Sequence, residues 1–368
     1  MASKRRQFTY TDYTMGWICA LPNEQTAARA MLSEIHPSLP NKENDLNYYT
    51  FGSVAGHNVA ITCLPGGDYG LVPASQAAAH MTGSFPNIKV GLMVGIGGGI
   101  PSTKVQLGDV VVSEPIGGYP AVVQYNRSGT NPDGFERTGS LNRPPIALLT
   151  AVKSLKSDHD LNGSRISEFI GEAEEVHPRL RRSGYTGSES LEDPLYSARR
   201  EIQGKWKGMV LVICAVFMDT FWYILGVKSC APAAKPVNRG KVPVSRGSKR
   251  ASGEVHIHYG LVASANTVMK DAVARDKLND RFNGRVLCLE TEAAGLMNHF
   301  PCIVVRGICD YADSGKDKTW QNYAAMVAAA YTKELLHHIQ PGHIGIAAPV
   351  QGTTQNGLEA PGTIHIDI

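Results

Sequence analysis

The sequence predicts an α/β domain in which buried strands alternate with helices, and three observations carry that expectation. Apolar runs of strand length recur along the chain, at 14–21, 90–94, 286–289 and 302–307. Alanine-rich or amphipathic stretches of helical length stand between several of these runs. Acidic or glycine-rich residues follow four of the strands, at the carboxyl ends where open α/β sheets bind ligands.

The elements follow in order. Thr14–Leu21 reads as a buried strand, and Pro22-Asn23-Glu24 turns into an alanine-rich helix, Gln25–Ile35. Strands are expected at Tyr48–Ser53 and Asn58–Leu64 around Gly56-His57, and a small-residue helix at Ala74–Met81. Val90–Val94 is a further strand that ends in a turn, the glycine cluster Gly95-Ile96-Gly97-Gly98-Gly99, and Gly108-Asp109 precedes a strand at Val110–Ser113. Residues 115–145, rich in Gly, Pro and Asn, read as long loops, and Ile146–Lys156 as a polar helix. Between 157 and 200 the periodicity is too weak to place an element. Strands return at Val255–Ala263, Val286–Leu289 and Cys302–Gly307, with helices at Ala293–His299 and Asn322–Ile339. Residues 1–9 are expected to be a flexible N-terminus and 340–368, rich in Gly, Pro, Thr and Gln, a disordered tail.

The 368 residues suffice for a substantial core, and 43% hydrophobic against 19% charged residues is the balance of a soluble globular protein. A net charge of +3 is too small to imply a nucleic-acid partner, and the basic residues gather in the middle third rather than along a stripe, so none is expected. The seven cysteines form no C-x-x-C pair and mostly sit in apolar runs, which points to reduced thiols in a cytoplasmic protein and to no metal site. The twelve histidines form no H-x-x-x-H pair, and no apolar stretch follows the basic N-terminus as in a signal peptide.

The chemistry gathers at the strand ends. Glu24, the glycine cluster, Glu290-Thr291-Glu292 and Asp310 each follow a strand, so the topology directs three acidic sites and one glycine turn into one crevice. Each acid taken singly is a candidate helix cap; the four features together point to a site. A dinucleotide fingerprint fails, because Ile100 stands where its last glycine belongs and Pro101 where its helix would begin.

Five stretches resemble the nucleoside phosphorylase superfamily: Gly16-Trp-Ile-Cys-Ala-Leu-Pro-Asn-Glu24, Val94–Pro101, Leu107-Gly-Asp-Val-Val-Val-Ser113, Cys288-Leu-Glu-Thr-Glu-Ala-Ala-Gly295 and Arg306-Gly-Ile-Cys-Asp-Tyr-Ala-Asp313. The resemblance covers about 10–200 and 255–339 and is closest to the branch that fungi attach to immune-receptor-like NTPase and repeat modules. It implies a three-layer α/β/α sandwich around a mixed sheet, of the phosphorylase/hydrolase type, which binds a purine nucleoside or nucleotide without a cofactor and forms a homo-oligomer. It implies that Glu24 activates a water, that Asp310 donates a proton to purine N7 and that Glu292 accepts hydrogen bonds from the ribose. Gly95, Ile96, Gly97, Gly98, Glu290 and Thr291 complete the implied substrate contacts.

The chemistry is consistent with those roles. Breaking an N-glycosidic bond builds positive charge on the sugar and negative charge on the departing purine. The site therefore needs an ionised carboxylate on one side and a protonated one, kept so by burial, on the other. Phosphorolytic members carry an arginine just before the glycine turn, whereas this chain reads Lys89-Val-Gly-Leu-Met-Val94, which favours water over phosphate. Where the family usually has Met between the two glutamates, this chain has Thr291, so the sugar is held differently. Asp109 and Asp313 read as turn-forming residues. Two alternatives stay open: a phosphorylase, and a degenerate domain that senses a ligand or binds a partner.

Residues 202–252 match nothing in the resemblance. Met209–Val227 is apolar apart from Asp219, and Lys228–Arg250 is basic. No membrane span is expected here, because one crossing would place Glu24 and Asp310 on opposite sides, so the segment reads as an insertion looped out of one domain spanning 10–339. Lengthening a loop costs only about 0.6 kcal/mol per doubling. Replacing 202–252 with a short Gly/Ser linker is therefore expected to preserve folding and raise soluble yield, read from yield and Tm against the full chain. A variant that fails to fold would place the apolar run in the core.

Overall fold

The structure is a computed structural model that describes residues 7–127, 135–137, 139–187, 191, 193, 254–315 and 318–341. The expected insertion at 202–252 and almost all of the expected tail lie outside the described residues.

Among the described residues eleven strands form one mixed sheet. In chain order they are β1 (Met15–Cys19), β2 (Glu34–Ile35), β3 (Tyr49–Val54), β4 (His57–Cys63), β5 (Val90–Gly99), β6 (Val110–Ser113), β7 (Val122–Arg127), β8 (Phe135–Arg137), β9 (Ile257–Ser264), β10 (Val286–Glu290) and β11 (Cys302–Asp310). Across the sheet they run β2-β3-β4-β1-β5-β11-β6-β9-β7-β8, and β10 pairs with both β5 and β9. The neighbours β4, β1, β5 and β11 are parallel to one another. Because β10 bridges β5 and β9, the path β5-β11-β6-β9-β10 closes on itself as a ring of five strands. The far half of β5 makes that closure: Gly98 and Gly99 pair with Leu289 and Cys288.

Among the described residues seven helices flank the sheet: α1 (Pro22–Ala30), α2 (Leu71–Ser84), α3 (Ile146–Asn162), α4 (Ile166–Val176), α5 (Arg179–Arg182), α6 (Ala272–Arg281) and α7 (Gln321–His337). The period-2 alternation of the strands separates two cores. Met15, Trp17, Leu92, Val94, Ile303 and Val305 pack with α1, α3, α4 and α7 on one face. Ile18, Met93, Cys302 and Val304 pack with α2 and Leu296–Phe300 on the other. A third cluster joins β7, β9 and β10 to α6 through residues such as Leu261, Leu278 and Phe282. The expected three-layer α/β/α sandwich around a mixed sheet is the fold.

Several expected elements differ. The first helix ends at Ala30, and Glu34–Ile35 instead pairs with Ser53 and Gly52 on β3, ahead of the helix-breaking Pro37. The glycine cluster is not a turn: it lies within β5, where ladder partners on β10 and β11 fix it as strand. Residues 115–145 are not all loop, since Val122 and Val123 pair with Val262 and Ala263 and bury themselves as β7. The expected helix at Ala293–His299 is only a 3-10 turn at Ala293–Gly295, where Gly295 lies so close to the backbone of Leu71 that a Cβ would not fit. In the stretch left unplaced, Ile166, Phe169, Ile170 and Ala173 form the buried stripe of α4 at helical spacing.

α7 lies directly on β11. A Cβ added at Gly307 would sit 1.8 Å from the carbonyl oxygen of Ala324, a backbone atom that cannot swing away. Gly307→Ala is expected to destabilise the fold by about 3 kcal/mol by lifting the helix from the sheet. Urea titration checks this, and an unchanged midpoint would show that α7 is not seated so closely.

Candidate functional site

A cavity of about 220 Å³ opens at the carboxyl ends of β1, β5, β10 and β11, lined among others by Glu24, Ile96, Gly97, Gly98, Glu290, Thr291, Glu292 and Asp310. The structure thus brings eight of the nine sequence-predicted site residues to one surface. The ninth, Gly95, does not line the cavity; it lies beneath the floor. A Cβ there would fall 2.3 Å from Glu24 Oε1 and 2.6 Å from Arg306 Nη1, so only glycine admits both side chains. At Gly98 a Cβ would come within 2.9 Å of Asp310 Oδ1 and the Cβ of Ala312.

Glu24 stands at the third position of α1, preceded by Pro22. Its Oε2 accepts hydrogen bonds from the amides of Ala20 (2.6 Å) and Leu21 (3.0 Å), which secures the start of the helix. Its Oε1 accepts one from the amide of Ile96 (2.8 Å), across the sheet on β5. The acid is therefore both a cap and a cavity wall. Burial pushes its carboxyl from the ordinary 4.5 up to about 7, against the Arg306 charge and with the help of Glu292.

The turn after β10 is held by Glu290, whose Oε2 accepts from the amides of Glu292 (3.0 Å) and Ala293 (2.9 Å). Its Oε1 is buried with no hydrogen-bond partner among the described residues. Glu292 accepts a hydrogen bond from the hydroxyl of Thr291. Thr291 is thus a donor to a site carboxylate, a role the family's methionine cannot fill. Burial also raises the Glu292 carboxyl, as does Glu290, while Arg306 opposes both.

Arg306 is the residue that sequence reasoning quoted but gave no role. It is fully buried on β11, and its Nη2 contacts Glu290 Oε2 and lies 3.3 Å from Glu292 Oε2. Nη1 reaches the carbonyl of Ile96 at 3.4 Å. Burial disfavours its charge, but Glu290, Glu292 and Glu24 outweigh that and hold the guanidinium protonated. Arg306 lies on the strand beside the glycine cluster and is committed to carboxylates. A signal existed: a lone Arg inside an apolar strand needs a buried partner.

Asp310 ends β11 beside the glycine floor. Its Oδ1 accepts from the amide of Ala312 (2.7 Å), and Cys309 Sγ lies 3.3 Å from its Oδ2. Sequence reasoning also missed Tyr69, Tyr125, Cys309 and Thr267–Met269 on the cavity wall. The last three follow β9, so the strand-end rule alone would have found them. Asp109 is buried as a turn residue that accepts from the amide of Gln106 (2.8 Å) and meets His258 Nε2 at 2.8 Å. Asp313 likewise accepts from the amide of Gly315 (3.0 Å).

The mixed sheet, its closed ring of strands and the acid-lined cavity at its strand ends place the chain in the nucleoside phosphorylase/nucleosidase fold class. Among solved structures it is similar to futalosine hydrolase of Helicobacter pylori, over 89% of this chain and 98% of that one, with TM-score 0.51 and 12% identity. It is also similar to a 5′-methylthioadenosine/S-adenosylhomocysteine nucleosidase from Colwellia psychrerythraea in complex with adenine, over 90% and 98%, with TM-score 0.50 and 14% identity. At such identities the likeness is one of fold. No protein-family model matches the chain. A nucleotide-binding leucine-rich repeat (NLR)-like protein of Hyaloscypha variabilis is 40% identical over 345 residues, 92% of this chain. The chain spans about a third of that relative, 31% of its length.

The site yields a stability prediction. Removing the cation of a buried ion cluster leaves uncompensated charge and costs about 3–5 kcal/mol. Arg306→Leu should therefore destabilise strongly at pH 8. The loss should be smaller at pH 5, where Glu24, raised by burial to about 7, takes up a proton. Denaturant melts of both proteins at the two pH values check the difference; an equal loss at both would mean the glutamates are not charged in its absence.

Proposed function

We propose that the cavity hydrolyses the N-glycosidic bond of a purine nucleoside or nucleotide and releases the free base. The observation that carries this reading is the placement of Glu24: a buried carboxyl with its pKa pushed up to about 7, facing the same small cavity as Asp310. A general base works best when its pKa lies near the working pH. In this reading Glu24 aligns and deprotonates a water, Asp310 supplies a proton to the departing purine, and Glu292, with Thr291 and Glu290 beside it, holds the ribose. The adenine-bound nucleosidase of the same fold supports a purine as the base.

Water is favoured over phosphate on the charge of the wall. No Lys, Arg or His is among the described residues lining the cavity, and Arg306 beneath it is already held by two glutamates. The amide of Ile96, which an anion would need, donates instead to Glu24. A phosphate dianion would meet carboxylates there. The NLR-like relative supports a setting in a larger receptor-like chain, in which base release depletes a nucleotide during defence.

Adenine release from a panel of purine nucleosides and nucleotides is expected without phosphate, with kcat/KM rising with pH through about 7 as Glu24 ionises. Glu24→Gln should abolish release and leave base binding nearly intact, and Asp310→Asn should slow it by about 10²–10⁴-fold. The stability sign runs the other way. Protonated Glu24 stabilises the fold below pH 4.5, and that contribution is lost as the pH rises through about 7. Release that requires phosphate would replace hydrolysis with phosphorolysis, and no release from any purine would favour a ligand-sensing module.

A further inference from the structure

The turn that carries Asp310 is held from outside the site. Asp310 Oδ1 is fixed by the amide of Ala312, 2.7 Å away. Ala312 itself sits at φ +52°, in the left-handed region that a residue with a Cβ adopts only when its surroundings impose it. On one side this turn meets the floor at Gly98, where no Cβ would fit. On the other it meets Arg275 of α6, whose side chain is only 8% exposed and whose Nη1 donates to the carbonyl of Tyr311 at 2.6 Å. The same nitrogen lies 4.0 Å from Asp313 Oδ2, so the guanidinium spans the turn from its second residue to its fourth. The Nε of Arg275 donates to Asp276 (2.8 Å), which sets the plane of the fork.

Arg275 has a second connection. α6 is capped by Asp271, whose Oδ1 accepts from the amides of Val273 (2.9 Å) and Ala274 (3.1 Å). The residues just before that cap, Thr267, Val268 and Met269, form the cavity wall. One short helix thus ends in a wall of the cavity and reaches, by one buried arginine, the turn that orients the acid on the facing wall.

We infer that Arg275 is a positioning residue: its bond to the Tyr311 carbonyl imposes the strained Ala312 conformation whose amide aims the Asp310 carboxyl into the cavity. This rests on the nucleosidase reading of the site. Arg275 is not among the described residues that line the cavity, so its effect on Asp310 is indirect, through the turn. Without it the turn is free to relax toward an ordinary φ, and the carboxyl moves. A displacement of about 1 Å in a catalytic group costs on the order of 10²-fold in rate.

The test is a double-mutant cycle on the full chain, R275M, D310N and R275M/D310N, with R275K as the conservative variant and adenine release as the readout. R275M is expected to lower kcat about 10²-fold with KM little changed, the pattern of a lost transition-state contact. R275K, which keeps a donor for the carbonyl, should recover part of the loss. The double variant should be no slower than D310N, since a residue acting through Asp310 has nothing left to position. Multiplicative losses in the double variant, or R275M with wild-type kcat, would overturn the assignment. If R275M does not fold, R275K alone and in the D310N background carries the same comparison. A wild-type chain that neither releases nor binds a purine would remove the reading of the cavity and this inference with it; additive losses in an active enzyme would remove only the inference.

Discussion

The site is organised around one buried positive charge. Arg306 lies wholly inside the protein, against Glu290 and Glu292 and within electrostatic reach of Glu24. None of these groups would be stable there alone, because an isolated ion in the interior carries a large desolvation penalty. Burial, and to a lesser degree the neighbouring carboxylates that outnumber the one cation, leave Glu24 and Glu292 with raised proton affinity. The glycine at position 95 is the steric condition for this cluster, since any Cβ would occupy the space where the carboxylate of Glu24 and the guanidinium of Arg306 approach the strand.

The acids also serve the local backbone. Glu24 caps α1, Glu290 caps the turn after β10 and Asp310 closes the turn after β11, each through bonds to main-chain amides. A cap and a site residue are usually weighed as rival explanations of an acid after a strand. Here they are compatible, because a carboxylate has two oxygens. Capping fixes the rotamer, and the fixed rotamer is what a preorganised site requires. Glu290 Oε1, without a partner among the described residues, and the raised Glu24 carboxyl show where the cavity wall departs from a purely structural solution.

Much of this was legible in the sequence, and for a definite reason. Strand ends converge in α/β sheets, so Glu24, Ile96–Gly98, Glu290–Glu292 and Asp310 could be grouped without knowing the strand order. The role of Arg306 was not legible, because its meaning depends on which strands flank β11. Only the order β5-β11-β6 shows that it lies beside Gly95. The glycine cluster misread as a turn for a related reason: glycine weakens a strand locally, and here pairing with β10 and β11 overrides that. Arg275 carried no signal, since an Arg within the charged stretch Ala272–Arg281 reads as solvent-facing until the packing of α6 is known.

The strand order also decides how the two portions of the chain relate. β9, β10 and β11 come from residues after 254, yet β11 lies between β5 and β6, β9 pairs with β6 and β7, and β10 closes onto β5. Every one of these later strands has at least one ladder partner from the earlier portion, so the sheet is completed only by both. A single membrane crossing between 194 and 253 would separate those partners by a bilayer and break the pairings that build the cavity. The acid-lined cavity draws on both portions in the same way, since Glu24 and Ile96 come from one, and Glu292, Arg306 and Asp310 from the other.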